Sequence, residues 1–154
     1  MQHETLVELL EAHKARFRVI EHPAEGKSDL VAHIRGTAPG QGAKAMLCKS
    51  KAGGCLALLV LPGDRKLDFK KVADALGIKK ATLASPEEAM AATGNVIGAI
   101  PPFADAGISL WVDPSLVNTY DEIAFNAGRL DRSIVLDTKD YLRIAHPTMA
   151  ELCG

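Results

Sequence analysis

The usual raw materials of metal sites, disulfide frameworks and nucleophile triads are missing from this sequence. Its three cysteines, Cys48, Cys55 and Cys153, are an odd number and form no CxxC pair. A disulfide scaffold or a zinc ribbon is therefore not expected, and a reducing cytoplasm is the compartment that fits. The five histidines, His3, His13, His22, His33 and His146, show no HExxH or other recognised ligand spacing, so we expect no metal and no cofactor. There is no Gly-x-Ser-x-Gly elbow. Asp121 and Glu122 are adjacent, so on a strand they face opposite ways and do not make a glycosidase pair.

An excess of one charge is also missing. Eighteen basic residues stand against nineteen acidic ones, a net charge of −1. That excludes a broad basic face coating DNA. It leaves two local lysine groups, Lys44 with Lys49 and Lys51, and Lys79 with Lys80, as possible contacts for one nucleic-acid end. No long hydrophobic run occurs. The longest, around Cys55–Leu61, is far too short to cross a membrane. The N-terminal MQHETLVELLEAHKARF reads as an amphipathic helix and lacks the apolar stretch of a signal peptide.

What is present suits one domain spanning residues 1–154. A chain of this size buries roughly 70% of its unfolded surface, and 47% hydrophobic residues can supply the core. Residues 4–15 place Leu6, Leu9 and Leu10 at helical spacing, and Phe17–Ile20 alternates as a strand. Ser28 is placed to cap a short helix, Asp29–Ile34, closed by Gly36. Ala43–Lys49 and Leu56–Leu61 read as a hairpin about Ala52-Gly53-Gly54. Asp68 caps a helix to Leu76 with Gly77 as its stop, and Ser85-Pro86-Glu87-Glu88 is a capping box that opens another. Strands are expected at Asn95–Ile100, Ile108–Val112, Glu122–Phe125 and Ser133–Leu136, with a closing helix Thr138–Ile144. The irregular interleaving and short connections predict an α/β domain of the α+β type. We expect a mixed, partly antiparallel curved sheet with surrounding helices, rather than a doubly wound one.

Several segments carry possible chemistry. Gly26-Lys27-Ser28 opens a helix after a strand, but Glu21 stands where a P-loop needs a glycine, so it reads as a helix start. In GQGAKAMLC, Lys44 begins an apolar strand where a loop meets the sheet. It is either a phosphate or oxyanion partner or a snorkelling surface lysine. In TGNVIGAIPPF, Gly98 allows close backbone approach, and Pro101-Pro102 stiffen the loop and remove two donors. Local pattern leaves open both a ligand loop and a plain turn. His22, before Pro23, is placed for a cleft mouth. Asn126 and Gly128 of FNAG are either turn residues or ligand contacts. Cys48 and Cys55 read as buried apolar thiols.

Taken together, GAKAMLCK (Gly42–Lys49), LDFKKVADALGIKKATLASPEE (Leu67–Glu88), TGNVIGAIPPF (Thr93–Phe103) and FNAGRLDRSI (Phe125–Ile134) resemble the YbaK/prolyl-tRNA editing domains. The likeness extends along nearly the whole chain and is closest to the stand-alone YeaK-like branch. It implies a trans-editing deacylase that hydrolyses the ester of tRNA mischarged with a small amino acid of the alanine, serine, threonine or cysteine class. The alternative it leaves is a non-catalytic module that binds tRNA acceptor ends or small aminoacyl compounds. It further implies that Lys44 is the essential residue, with no metal. Gly98, Ala99, Ile100 and Pro102, with His22, Asn126 and Gly128, would form the substrate site for the acceptor end. A synthetase is an implied partner. Many members read GGISP where this chain reads GAIPP, so Ala99 and Pro101 alter pocket volume and remove a donor.

Overall fold

The computed structural model describes all 154 residues. Its strands form two sheets rather than the one expected. The smaller has the order β1 (Phe17–Glu21), β7 (Arg132–Asp137), β6 (Glu122–Arg129) and is antiparallel throughout. The larger has the order β4 (Ala81–Leu83), β2 (Ala43–Ser50), β3 (Ala57–Pro62), β5 (Ser109–Val112), β8 (Thr148–Met149). Within it β2 pairs antiparallel with β3 and β4, while β5 runs parallel to β3 and β8 parallel to β5. A parallel bridge between Gly42 and Ala124 joins the two sheets at the start of β2.

The helices form where local signals specify them. In α3 (Phe69–Leu76) the Asp68 carboxylate accepts from the Lys70 and Lys71 amides, and Gly77 closes the helix at φ 67°. Ser85 and Glu88 make the reciprocal capping box of α4 (Pro86–Thr93). The first helix, α1 (His3–Ala12), buries Leu6 and Leu10 and stops three residues early because Lys14 turns left-handed. In α2 (Ser28–Arg35) the cap position is Lys27, not Ser28, and no side chain caps it. Ser28 instead begins the helix proper.

The main core packs Leu6 and Leu10 of α1 and Tyr141 of α6 (Thr138–Ala145) with Phe103 against Val60, Ile123, Phe125, Ile134 and Leu136. Strand β3 is buried at every position, which is why it reads as a continuous apolar run rather than an alternating one.

Four further expectations are corrected. Asn95–Ile100 is not a strand. Its backbone is turned by local bonds, Asn95 N–H to Thr93 Oγ1 and Ala99 N–H to the Val96 carbonyl, and by φ +93° at Gly98. FNAG is not the turn. Asn126 pairs with Ser133 inside β6, and Gly128, at φ 78°, sits in a register shift before Arg129. Asp113, just after β5, caps a short helix, α5 (Pro114–Val117), where no helix was expected. Cys48 is buried as expected, but Cys55 is exposed at φ 52°, where it closes the β2–β3 turn.

Asp113 also ties the end of the chain to the sheet. One carboxylate oxygen accepts from Ser115 N–H and Oγ–H, and the other accepts from the Leu152 and Cys153 amides at 2.8 and 3.1 Å. Burial pushes its pKa up, yet these donors together outweigh burial and hold it down at about 2. A depressed carboxylate contributes stability above its unfolded pKa, and that contribution is lost as pH falls through the folded value. Stability should therefore decline between about pH 4 and pH 2. Asp113→Asn should flatten that decline and lower unfolding free energy at neutral pH by about 1.5–3 kcal/mol, read from urea denaturation at several pH values.

Candidate active site

One cavity gathers residues from four segments of the chain. It encloses about 140 Å³ and is lined by Gly26, Ser28, Val31 and Arg35, by Gly42–Met46 of β2, by Ile97, Gly98 and Ile100, and by Ala124–Asn126 of β6. A single water needs about 10–15 Å³, so the space has room for a small acyl group. Its position follows from the topology. The bridge from Gly42 to Ala124 brings the start of β2 against β6, and the 94–103 loop and α2 cover the opening between them.

Lys44 lies half-buried in this wall, and its ammonium donates to the Arg65 carbonyl. Burial lowers its pKa below the ordinary lysine value. Lys66 adds to the lowering, while Asp64 and the Cys153 sulfur act the other way. The Cys153 thiol is itself pushed up to about 12, by burial first and then by Asp113. It is a neutral neighbour at physiological pH, not a nucleophile.

Arg35 is the residue that pattern reading did not single out. Its Nε donates to Ser133 Oγ at 2.7 Å and its Nη2 to Asn126 Oδ1 at 3.0 Å. No carboxylate pairs with it. Burial pushes its pKa down to about 10, so it is still a cation at neutral pH. A partly buried guanidinium held only by neutral partners retains most of its attraction for an anion in the cavity. In the sequence its place before Gly36 marked only a helix end.

The expected contact residues divide into two groups. Lys44, Gly98, Ile100 and Asn126 line the cavity, whereas Ala99, Pro102 and Gly128 lie behind the loop. The Ala99 carbonyl accepts from Gly128 N–H at 2.9 Å, and the Pro102 carbonyl accepts from the buried Tyr141 hydroxyl at 2.8 Å. Gly128 faces the backbone of residues 1–3. His22 stands one layer back, with Nδ1–H donating to the Pro23 carbonyl at 2.8 Å and Nε2 2.7 Å from Ser133 Oγ.

Asn126 lines the cavity, but its polar atoms are committed within the protein. Nδ2 donates to the Glu25 and Gly98 carbonyls at 2.8 and 2.9 Å. Oδ1 accepts from Arg35 and lies 3.1 Å from Ser133 Oγ. With all its hydrogen-bonding capacity used, it fixes the loop and the guanidinium rather than touching a ligand. Gly98 does admit a close backbone approach, but the approaching backbone is that of Gly26. A Cβ on Gly98 would lie 3.1 Å from the Gly26 Cα and 3.2 Å from its carbonyl. The Gly98 and Ile100 N–H groups make no hydrogen bond within the chain.

This geometry agrees with what the chain is similar to. Residues 22–144 match the model of the aminoacyl-tRNA editing domain. The chain belongs to that family. Two curated relatives, from Escherichia coli strain K12 and Escherichia coli O157:H7, are each named multifunctional Ser/Thr-tRNA deacylase ProXp-y. Each is 49% identical over 150 residues, covering 96% of this chain and 90% of its own length. Among solved structures, hypothetical protein APE2540 superposes with a TM-score of 0.87 at 21% identity, over 96% of this chain and 98% of its own. A proposed trans-editing enzyme for prolyl-tRNA synthetase superposes with a TM-score of 0.84 at 24% identity, over 98% and 96%. At such identities the structures establish the editing-domain fold alone.

Gly98→Ala tests the loop. The left-handed φ and the clash with Gly26 should together cost about 1–3 kcal/mol, seen as a lower denaturation midpoint, while Ala99→Gly should leave the Gly26 contact intact.

Proposed function

We propose that this protein is a trans-acting deacylase that hydrolyses the ester joining serine or threonine to a tRNA on which it does not belong. The observation that carries the proposal is that one small cavity is lined by two cationic residues, Lys44 and Arg35, and by Gly98 and Ile100, whose amides have no partner within the chain. The identity to the two E. coli deacylases supports the choice of amino acid, and the cavity volume agrees with a small acyl group.

An aminoacyl ester needs no covalent enzyme intermediate. Water attacks the carbonyl carbon and the carbonyl oxygen becomes an oxyanion. The C–O bond to the ribose then breaks, and the departing ribose oxygen takes up the proton that the water gives up. Family resemblance gives the neighbouring ribose hydroxyl the role of assisting the water. The protein's part is positioning and charge. Fixed donors aimed at developing negative charge work best in a site where solvent does not compete. Arg35, held by Ser133 and Asn126, and the free amides of the 98–100 loop are such donors. Lys44, braced by the Arg65 carbonyl, anchors the anionic end of the substrate. Serine and threonine differ by one methyl group, worth about 1–3 kcal/mol, so one pocket of this kind accepts both.

The substrate is aminoacyl-tRNA. With a net charge of only −1, the protein gains added affinity if a synthetase presents the tRNA. The place of action in this reading is the cytoplasm.

The test is a deacylation panel with tRNA charged with alanine, serine, threonine, cysteine or proline. We expect loss of the serine and threonine esters on non-cognate tRNA, with correct pairs spared. Lys44→Ala should reduce the rate by at least about 100-fold with the fold intact by circular dichroism. Binding to charged ends without hydrolysis of any ester would instead establish a non-catalytic module. Because burial lowers the Lys44 pKa, the wild-type rate should decline on the alkaline side below the ordinary lysine value of about 10.4. A flat alkaline profile, corrected for spontaneous hydrolysis, would remove the cationic role.

A further inference from the structure

Three lysines at the far end of the site strand have no counter-charge. Lys51, Lys79 and Lys80 line an open hollow of about 480 Å³ with Ser50 and Ala52, and no acidic residue lines it. All three are exposed and none forms an ion pair. Lys51 N–H donates to the Lys80 carbonyl at 2.9 Å, continuing the β2–β4 ladder in which Ser50 pairs with Ala81. Two like charges are thereby set side by side across an edge strand, an arrangement that costs stability unless an anion relieves it. By contrast, Lys49, two residues earlier, is neutralised by Glu88 at 2.7 Å.

The hollow and the active-site cavity border opposite ends of β2. An apolar slot of about 60 Å³ shares Ala45, Met46, Ile97 and Ile100 with the active-site cavity and extends to Leu83 of β4. Leu83, Val96 and Ile97 are 43, 46 and 56% exposed along this stretch. From Leu83 to Lys80 is three residues, about 10 Å of strand. From Lys44 to Lys51 is seven residues, about 23 Å. Stacked nucleic acid carries one phosphate per about 3.4 Å of strand, so 23 Å spans about seven nucleotides. Apolar side chains suit the bases of an unpaired strand, and unneutralised lysines suit its phosphates.

We propose that Lys51, Lys79 and Lys80 form a docking surface for RNA backbone phosphates. They hold the first paired nucleotides of the acceptor arm while the unpaired 3′ end crosses Leu83 and Ile97 into the cavity. This rests on the deacylase reading and adds to it a surface that acts on binding and not on the chemical step. It also explains how a chain of net charge −1 holds a polyanion, since three unneutralised lysines from two adjacent segments form a local positive patch.

The experiment compares wild type with the variant Lys51→Ala/Lys79→Ala/Lys80→Ala and its arginine counterpart, Lys51→Arg/Lys79→Arg/Lys80→Arg. Deacylation is measured from 50 to 200 mM salt, and binding of an uncharged acceptor-stem RNA hairpin is measured alongside. In the alanine variant KM should rise at least 10-fold at low salt with kcat unchanged. The slope of log KM against log salt should shrink by about two to three units, near 0.9 per lost phosphate contact. The arginine variant should restore both, and hairpin binding should follow KM. Unchanged KM and salt slope in the alanine variant, with deacylation intact, would overturn the docking surface and leave the enzyme reading standing. A loss of kcat rather than of KM would also overturn it. If wild type deacylates nothing, the hairpin binding still decides the surface: salt-sensitive binding lost in the alanine variant supports it, and binding equal in both variants overturns it.

Discussion

The Asn126 side chain is the joint on which the site depends. Its four engagements connect α2 through Arg35, the segment before α2 through Glu25, the covering loop through Gly98, and β7 through Ser133. Two of them, α2 and the covering loop, line the cavity with β2 and β6, and they come from distant parts of the chain. A buried amide with every valence used is rigid, because any rotation leaves donors or acceptors unpaired in a partly dry interior. His22, bound on both ring nitrogens, braces this cross-link from behind through Ser133. A cation otherwise costly to bury is thus held by neutral dipoles, and none of its charge is cancelled before a substrate arrives.

The remaining architecture serves to keep that joint in register. Strand β3, buried along its whole length, fixes β2 on one side and β5 on the other. Asp113 at the end of β5 gathers Leu152 and Cys153, and Arg65 Nη2 and the Lys66 carbonyl both bond Gly154. The loop whose Arg65 carbonyl receives the Lys44 ammonium is therefore held from the C-terminal side. Tyr141, fully buried and edge-on to Phe103 at 5.3 Å, fixes the Pro102 carbonyl and so the far end of the covering loop.

How much of this was legible in the sequence depended on the range of the interactions. Caps and stops at Asp68, Gly77, Ser85 and Gly36 were readable because a cap is satisfied within a few residues. The β2–β3 hairpin was readable because its turn chemistry lies between its strands. Asn95–Ile100 has the apolar composition of a strand, but it pairs with no strand, and local bonds from the Asn95 and Ala99 amides turn it instead. Arg35 could not be recognised, because what makes it unusual is the absence of a carboxylate, and that depends on residues about a hundred positions away. Lys44 and the 98–102 loop were found through their resemblance to a family. Alternation and glycine spacing alone left them ambiguous, and only the fold brings Lys44 and Gly98 to one cavity. Division into two sheets joined at Gly42 and Ala124 left no local trace.

The backbone contact between Gly26 and Gly98 has a consequence for how such a pocket can change. Gly98 is closed to larger residues, because its φ is left-handed and a Cβ there would press on the Gly26 backbone at 3.1–3.2 Å, so this corner of the cavity frame is fixed. Met46, Val31 and Ile97, by contrast, contribute only side chains to the wall. A change of preferred amino acid is therefore open to exchanges at those apolar positions, one methylene at a time, while the backbone at Gly98 holds its place.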